Sequence, residues 1–455
     1  MQTLISTNPA NNATVGEVTV TTLPEITAKV QNAQRAKRAW KMLGAAQRAL
    51  MLRPLYALII QHKDEIAQLI TQEMGKPITA AHSEIKYALD YLQDFLDCGP
   101  GYIANEITVQ EGATKHEIVY EPLGVAACIA PWNYPFSNFI VNVIPLLITG
   151  NTVVFKHSEE CPLVGQYADS LMQQLNLPEG VYAQVYGEGT VGQQLVEQDI
   201  NLISFTGSSK TGHALAAIAG KKGIKAVLEM GGSDPAVIFE DAPLDEIIPQ
   251  IYARRFDNCG QICCAVKRLI VHESIYDTVV EKLVDYLRTI KVGDPLDPST
   301  QIGPLAALRQ LELLESQVAA SLAQGAVVAI GGKKAAEKVG VYYLPTVLTH
   351  IHRDMSVWKE EIFGPVLPIM AFRTEEEAIM LANDTPYGLS AVVFSADKER
   401  GYRVAAQIDA GCVDINFASH WRPCNPFGGY KASGLGRIYG KWGFQELCQV
   451  KVIAQ

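Results

Sequence analysis

Three residues far apart in the chain carry groups that suit acyl chemistry. Cys263 stands in Phe256-Asp257-Asn258-Cys259-Gly260-Gln261-Ile262-Cys263-Cys264. A cysteine thiolate is a soft nucleophile, and a nearby glycine permits a bend that exposes the sulfur and its own backbone N–H. Glu229 lies in Leu228-Glu229-Met230-Gly231-Gly232. A carboxylate at the end of an apolar run, before flexible glycines, has room to turn toward water as a general base. Asn133 lies in Ala130-Pro131-Trp132-Asn133-Tyr134-Pro135-Phe136. Its side-chain amide is a donor for an oxyanion. Taken singly, each has an ordinary explanation: an inert core cysteine, a glutamate at a turn, and an asparagine holding a proline-rich turn.

Composition narrows what such groups serve. The chain has 455 residues, too many for one ordinary domain. Apolar residues make up 48% and charged residues 19%, the balance of a globular protein with a large core. Net charge is −10 and no basic tract occurs, which argues against nucleic-acid binding. The nine cysteines show neither a CxxC pair nor Cys/His ligand spacing, so neither a metal site nor a disulfide framework is expected, and a reducing cytoplasm is. Met1–Pro9 lacks the charge and apolar run of a secretory leader. The apolar stretch 136–155 is broken by Asn138, Asn142, Pro145, Gly150 and Asn151, so no membrane span is expected.

The elements that must position these groups follow from periodicity. Helices are expected over 24–40, 46–74 and 80–97, the last ending at Gly99-Pro100. Strands 107–109 and 116–120 around Gly112 form a projecting hairpin. Short β-branched runs then alternate with helices. Strands are expected at 125–130, 152–156, 182–186, 202–205 and 225–228, and again at 236–239, 268–271, 326–330, 366–372, 391–395 and 412–416. Two α/β units with parallel sheets are the reading.

The motifs PWNYPF, FTGS (205–208), LEMGG, FDNCGQIC, EEIFGPV (360–366) and PFGGYKASGLGR (426–437) occur in one order over nearly the whole chain. This set resembles the aldehyde dehydrogenase superfamily, and in detail bacterial succinate-semialdehyde dehydrogenases. The resemblance implies an aldehyde dehydrogenase-like fold: a Rossmann-type cofactor domain (1–102 and 121–231), an α/β catalytic domain (232–432), and oligomerisation segments at 103–120 and 433–455. It implies that Cys263 attacks the aldehyde. Asn133 and the Cys263 N–H would hold the oxyanion, hydride would pass to a nicotinamide, and Glu229 would activate the water that hydrolyses the thioester. Cofactor contacts carried over are Trp132, Lys156, Glu159, Gly187, Gly192, Ser208, Glu361 and Phe363. Glu159 would accept the ribose hydroxyls and repel a 2′-phosphate, favouring NAD over NADP. A homodimer or homotetramer is implied.

Some positions depart from the family pattern. Ser233-Asp234-Pro235 replaces the commoner GGKxP lysine, His157 replaces a proline in KHSE, and Ile438 stands where a glutamate is usual. Succinate-semialdehyde enzymes place arginines at two channel positions that are Val141 and Asp257 here. Arg255 and Arg422 are candidate substitutes for gripping a substrate carboxylate, which keeps a carboxylated aldehyde narrowly ahead. Asp257 favours a cationic aminoaldehyde instead. Aliphatic aldehydes, a CoA-acylating reaction and a catalytically silent relative rank behind these two. Cys259 and Cys264 flank the nucleophile as candidate disulfide partners or, preferably, as core residues.

Overall fold

The computed structural model describes residues 2–455. Two sheets carry the molecule. In the first, strands Val125–Ile129, Thr152–Lys156, Tyr182–Val185, Leu202–Thr206 and Lys225–Glu229 run parallel, and Gly434–Leu435 adds a short antiparallel edge. From the Lys225–Glu229 side the order is fifth, fourth, first, second, third, so the winding reverses between Val125–Ile129 and Leu202–Thr206. Ligands in such sheets bind beyond the carboxyl ends of the strands at that reversal. The second sheet places Val366–Phe372, Val266–His272, Asp234–Ile238, Ser390–Phe394 and Cys412–Ile415 side by side and parallel. Thr346–Thr349 joins the other edge in parallel, and Val327–Ile330 closes it antiparallel. Near-continuous burial of Asp234–Ile238 and Ser390–Phe394 explains their unbroken apolar runs, since both faces are covered by helices.

The chain passes from Glu229, the last residue of a strand in one sheet, to Asp234, the first of a strand in the other. The carboxyl edge of the first sheet therefore faces the amino edge of the second. The expected hairpin forms, with Glu106–Glu111 against Thr114–Pro122, and the C-terminal strand Cys448–Ala454 pairs with the same strand. Ile107, Val450, Val452 and Ile453 are exposed on it.

Local differences from the sequence reading have physical causes. The helix expected over 46–74 divides into Ala45–Leu52 and Pro54–Met74, because Pro54 lacks an N–H and sits at the first turn of the second piece. The helix expected to stop at 97 continues as Ile78–Tyr102 through Pro100. Pro100 leaves the Leu96 carbonyl without its helical donor, and Arg53 Nη2 reaches that carbonyl at 3.5 Å. At Gly99 a Cβ would lie 2.6 Å from the Phe444 ring, so bare backbone packs there. Strands Thr3–Thr7, Thr14–Thr19 and Thr346–Thr349 were not expected from periodicity. Among the described residues no helix is long and apolar enough to cross a membrane.

Helix Pro135–Ile148, which follows Asn133, is buried at every residue but Asn138. Its first turn has no side-chain cap of its own. Glu84 fills that need from a neighbouring helix, accepting from the N–H groups of Phe136 (2.9 Å) and Ser137 (3.0 Å). The Glu84 carboxylate is paired with Lys76, and both are fully buried. The Lys76 ammonium also lies 3.6 Å from the centre of the Tyr134 ring. Lys76→Met should leave a buried carboxylate without its cation. It is expected to lower the unfolding free energy by roughly 3–5 kcal/mol, measured from denaturant midpoints.

Candidate active site

The candidate residues gather where the two sheets meet. Asn133 follows strand Val125–Ile129, Lys156 ends strand Thr152–Lys156, Gly187 follows Tyr182–Val185, Ser208 follows Leu202–Thr206, and Glu229 ends Lys225–Glu229. All five lie at carboxyl ends of the first sheet. Cys263 precedes strand Val266–His272, and Glu361 and Phe363 precede Val366–Phe372, at the amino edge of the second.

Reciprocal amide hydrogen bonds lock the two edges. Asn133 Nδ2 donates to the Gln261 carbonyl at 3.0 Å. Asn258 Nδ2 donates back to the Asn133 carbonyl at 2.9 Å. Asn258, Cys259 and Gly260 are consecutive left-handed residues, at φ 53°, 56° and 71°. Such a conformation costs an ordinary residue roughly 1–2 kcal/mol, and asparagine and glycine least. Gly260 is required for a second reason, since a Cβ there would meet the Gly364 carbonyl oxygen at 2.3 Å. Gln261 holds the loop from inside, donating to the Asn258 carbonyl (3.1 Å) and accepting from the Ala306 N–H (2.9 Å). Asn133 thus commits one amide hydrogen to orientation and keeps the other free to donate.

Charges in the pocket are arranged unevenly. Glu229 is buried and neither carboxyl oxygen has a hydrogen-bond partner. Burial, reinforced by the nearby Cys263, pushes its pKa well above the usual carboxylate range, against the weaker pull of Arg437. Cys263 is half-buried, and its pKa is lowered, first by a hydrogen bond from Cys264 and then by the charge of Lys267, against the opposing effect of burial. The flanking thiols move the other way. Cys259 is buried and pushed up to about 12, and Cys264 is raised. Cys259 is therefore a core thiol rather than a second reactive one.

On the cofactor side, Trp132 and Phe363 meet edge to face, with ring centres 5.5 Å apart. Ser208 caps helix Ser209–Lys222 through the Thr211 N–H, at an exposed helix N-terminus suited to an anion. A Cβ on Gly192 would lie 3.2 Å from the Lys156 side chain, and Gly187 has φ 154° with a Cβ position 2.3 Å from Val191. Bare backbone at both leaves the helix close to the strand ends. Lys156 pairs with Glu159 at 3.3 Å, and Arg309 reaches Glu159 at 3.7 Å and Glu160 at 2.6 Å. Burial would raise the Glu159 carboxyl, but these cations hold it below its ordinary value. These features fit a dinucleotide: an anion-binding helix end, a carboxylate for ribose hydroxyls and an aromatic pair for a flat ring.

Three substrate candidates separate on inspection. Arg255 is fully buried, and its guanidinium donates to the carbonyls of Val366 (2.8 Å), Ile362 (3.1 Å) and Gly364. It braces the loop between 362 and 366 and does not reach a substrate, so its expected role is corrected. Asp257 is exposed at the residue level yet flanked by protein, and burial raises its carboxyl to about 6. Arg422 is exposed beside Trp421, whose ring packs on Phe427 (4.8 Å) and Tyr87 (6.1 Å). Val141 is buried and apolar.

The departures also acquire reasons. His157 is buried, its pKa lowered to about 4 by burial, and its Nε2–H donates to the Pro135 carbonyl at 3.0 Å. A proline could not tie the end of strand Thr152–Lys156 to the start of helix Pro135–Ile148 in this way. Ile438 exchanges backbone hydrogen bonds with Phe427, both at 2.8 Å, and packs its apolar side chain on the core. Asn258, Gln261 and Lys267 were not singled out by sequence. Lys267 could have been: Lys267-Arg268 is a cationic pair in an otherwise apolar strand that is buried over Val266–Val271.

The chain belongs to the aldehyde dehydrogenase family, whose profile matches residues 2–453. It is 36% identical to a succinate-semialdehyde dehydrogenase [NADP(+)] of Deinococcus radiodurans over 448 residues, 98% of this chain and 93% of that one. It is also 36% identical to the peroxisomal aminoaldehyde dehydrogenase 1 of Pisum sativum over 466 residues, 98% and 91% of the two chains. The crystal structure of a betaine aldehyde dehydrogenase of Staphylococcus aureus with NAD+ superimposes with a TM-score of 0.96 at 32% identity, covering 100% of this chain and 91% of that one. The chain is thus a nicotinamide-dependent aldehyde dehydrogenase.

Removing the Asn133 amide tests the lock and the free donor together. Asn133→Ala should slow the hydride-forming step by about 10²–10³-fold, read as the pre-steady-state rate of reduced cofactor, and lower the unfolding free energy by about 0.5–1.5 kcal/mol through loss of the buried bond to Gln261.

Proposed function

We propose that the chain oxidises an aldehyde to its carboxylic acid through a thioester on Cys263 that Glu229 helps water to hydrolyse. The observation that carries this reading is the buried, unpartnered carboxyl of Glu229 beside Cys263. A thioester transferred to coenzyme A would not need such a group. The Cys263 thiolate adds to the aldehyde carbon. The free amide hydrogen of Asn133 and the Cys263 N–H then donate to the resulting oxyanion. A bound nicotinamide supplies the hydride acceptor. The loop carrying Asn258 and Gln261, tied to Asn133, holds the donors in place, and Glu229 takes the proton from the hydrolytic water.

Trp132, Lys156, Glu159, Gly187, Gly192, Ser208, Glu361 and Phe363 form the cofactor site in this reading. NAD is preferred because Glu159 offers a carboxylate to the ribose hydroxyls. Lys156 and Arg309 offset part of that charge, which leaves room for NADP as well. Residues 1–102 with 121–231 form the cofactor domain and 232–432 the catalytic domain. The hairpin and C-terminal strand join subunits into a homodimer or homotetramer in the cytoplasm. The exposed apolar Ile107, Val450, Val452 and Ile453 support that assembly.

The substrate we favour is a short aldehyde with a terminal carboxylate, succinate semialdehyde foremost, with Arg422 as its counter-charge. The Deinococcus radiodurans relative supports it. A cationic aminoaldehyde is the second reading, supported by Asp257 with no cation in contact and by the Pisum sativum relative.

Two measurements test this. Glu229→Gln should leave a burst of reduced cofactor and cut the steady-state rate by about 10²–10⁴-fold. Because burial raises the Glu229 carboxyl, wild-type deacylation should fall as pH drops through a range above that of ordinary carboxylates, and the variant should lose that limb. An unaltered steady-state rate would remove Glu229 from the chemistry. Second, kcat/KM should be compared for succinate semialdehyde and 4-aminobutanal with each cofactor. Asp257→Asn should raise it for the carboxylated aldehyde, and Arg422→Ala should lower it. The reverse pattern, with a loss for 4-aminobutanal in Asp257→Asn, selects the aminoaldehyde reading.

A further inference from the structure

Lys267 is a charged residue placed where a strand would ordinarily bury an apolar one. Its side chain is completely buried. In the register between the two central strands of the second sheet, Asp234 pairs with Val266 and Pro235 with Arg268. The register slips there by one residue, and Lys267 is the residue left over. A bulge of this kind re-aims a side chain that the regular pleat would send elsewhere. Here it turns the ammonium back beneath the loop that carries Cys263.

All three ammonium hydrogens have an acceptor in reach. Lys267 Nζ donates to the Ile262 carbonyl at 2.9 Å and to the Cys263 carbonyl. Glu361 Oε1 lies 3.4 Å away. That carboxylate is itself held by the Gly232 N–H at 3.1 Å. Asp234, opposite Val266 in the adjacent strand, has one oxygen accepting from the Ser390 hydroxyl and the other without a hydrogen-bond partner. Ser233 stands where the resembled motif commonly has its lysine. The cation beside the double-glycine turn is supplied by the adjacent strand instead, and Arg268 takes the Ser233 carbonyl at 2.9 Å.

An ion pair that served stability alone would not need this arrangement. Burying an ammonium costs several kcal/mol, and an apolar side chain of the same volume is often neutral or better. The ammonium is directed at the two carbonyls that flank the nucleophile's own backbone N–H. We propose that Lys267 is a positioning residue for the nucleophile. It fixes the Ile262–Cys263 peptide and sets a positive charge against the Cys263 thiolate, with Glu361 as its counter-ion. The groups that face the Cys263 thiol are Cys264, Lys267, Glu361 and Asp234, with Glu229, Tyr134 and Tyr439 feeling its charge in turn. Of the charged groups among them, Lys267 favours the thiolate, and Glu361 and Asp234 oppose it.

The inference rests on the reading of Cys263 as nucleophile, and the test separates the two. The full-length protein without cofactor is treated with iodoacetamide across a pH series, and the alkylated residue is mapped by peptide mass. In Lys267→Met the midpoint of the rate profile should rise by about one unit, so that alkylation at neutral pH slows about tenfold. In Glu361→Gln the midpoint should fall, because the counter-charge is gone and the lysine remains. Profiles that superimpose on the wild type, or a rise in Glu361→Gln, overturn the proposal. If Lys267→Met does not fold, Lys267→Gln takes its place, with the same rise in the midpoint expected and an unmoved midpoint overturning the proposal. Wild-type alkylation that spares Cys263, or that maps to it and leaves aldehyde oxidation intact, overturns the nucleophile reading and this proposal with it.

Discussion

The pocket exists because two sheet edges are held in register by a pair of amide side chains. Asn133 belongs to the carboxyl edge of one sheet, and Asn258 and Gln261 to the loop entering the other. Their hydrogen bonds at 2.9 and 3.0 Å cross the junction in both directions. They act together with the Gln261 side chain and backbone N–H, which both donate to the Asn258 carbonyl, to keep consecutive residues of this loop in the left-handed region. The strain is small per residue, but it is retained only where the surroundings over-determine it. Here the surroundings are the Gln261 side chain, the close approach of Gly260 to the Gly364 carbonyl, and the Arg255 guanidinium that braces that same segment.

Charge is the second constraint. The proposed reaction needs a thiolate and a base that becomes a carboxylate only when required, in a buried site. Burial alone would neutralise both, since it raises thiols and carboxyls alike. The pocket leaves Glu229 unpartnered, so burial acts on it in full, while Cys263 is given a neighbouring thiol donor and a lysine. Two acids a short distance apart are thereby pushed in opposite directions, which is the condition for one to attack while the other waits to accept a proton. The same logic explains the Glu84–Lys76 pair: it satisfies the first turn of the helix that follows Asn133 with a charge that never faces the substrate.

The parts of this structure that were readable from sequence are those written in short-range patterns. Val366–Phe372 and Thr152–Lys156 coincide with their β-branched and apolar runs, because buried parallel strands demand such residues on both faces. The motif glycines announced the turns around Cys263 and Glu229. What was not readable depends on partners distant in sequence. Arg255 was expected at the substrate because it lies near Cys263 in the chain, yet its side chain is drawn inward by three carbonyls beyond residue 360. The charge of Lys267 in an apolar strand is visible in the sequence, but where its side chain points is not, because a register slip and not a motif decides it. Helix Ile78–Tyr102 runs past Gly99-Pro100 with the Leu96 carbonyl, freed by Pro100, taken up by Arg53 from outside the helix and with Phe444, more than 300 residues away, packed on the glycine.

The central claim is that the carbon skeleton of the substrate is carried on the Cys263 sulfur and released by way of Glu229. Mass spectrometry of the Glu229→Gln protein, acid-quenched seconds after mixing with succinate semialdehyde and NAD, reads this directly. A peptide containing Cys263 should be heavier by the acyl group of the product acid, with the adduct absent when Cys263 is replaced by alanine. An unmodified Cys263 peptide in a protein that has already produced a stoichiometric amount of reduced cofactor would contradict it.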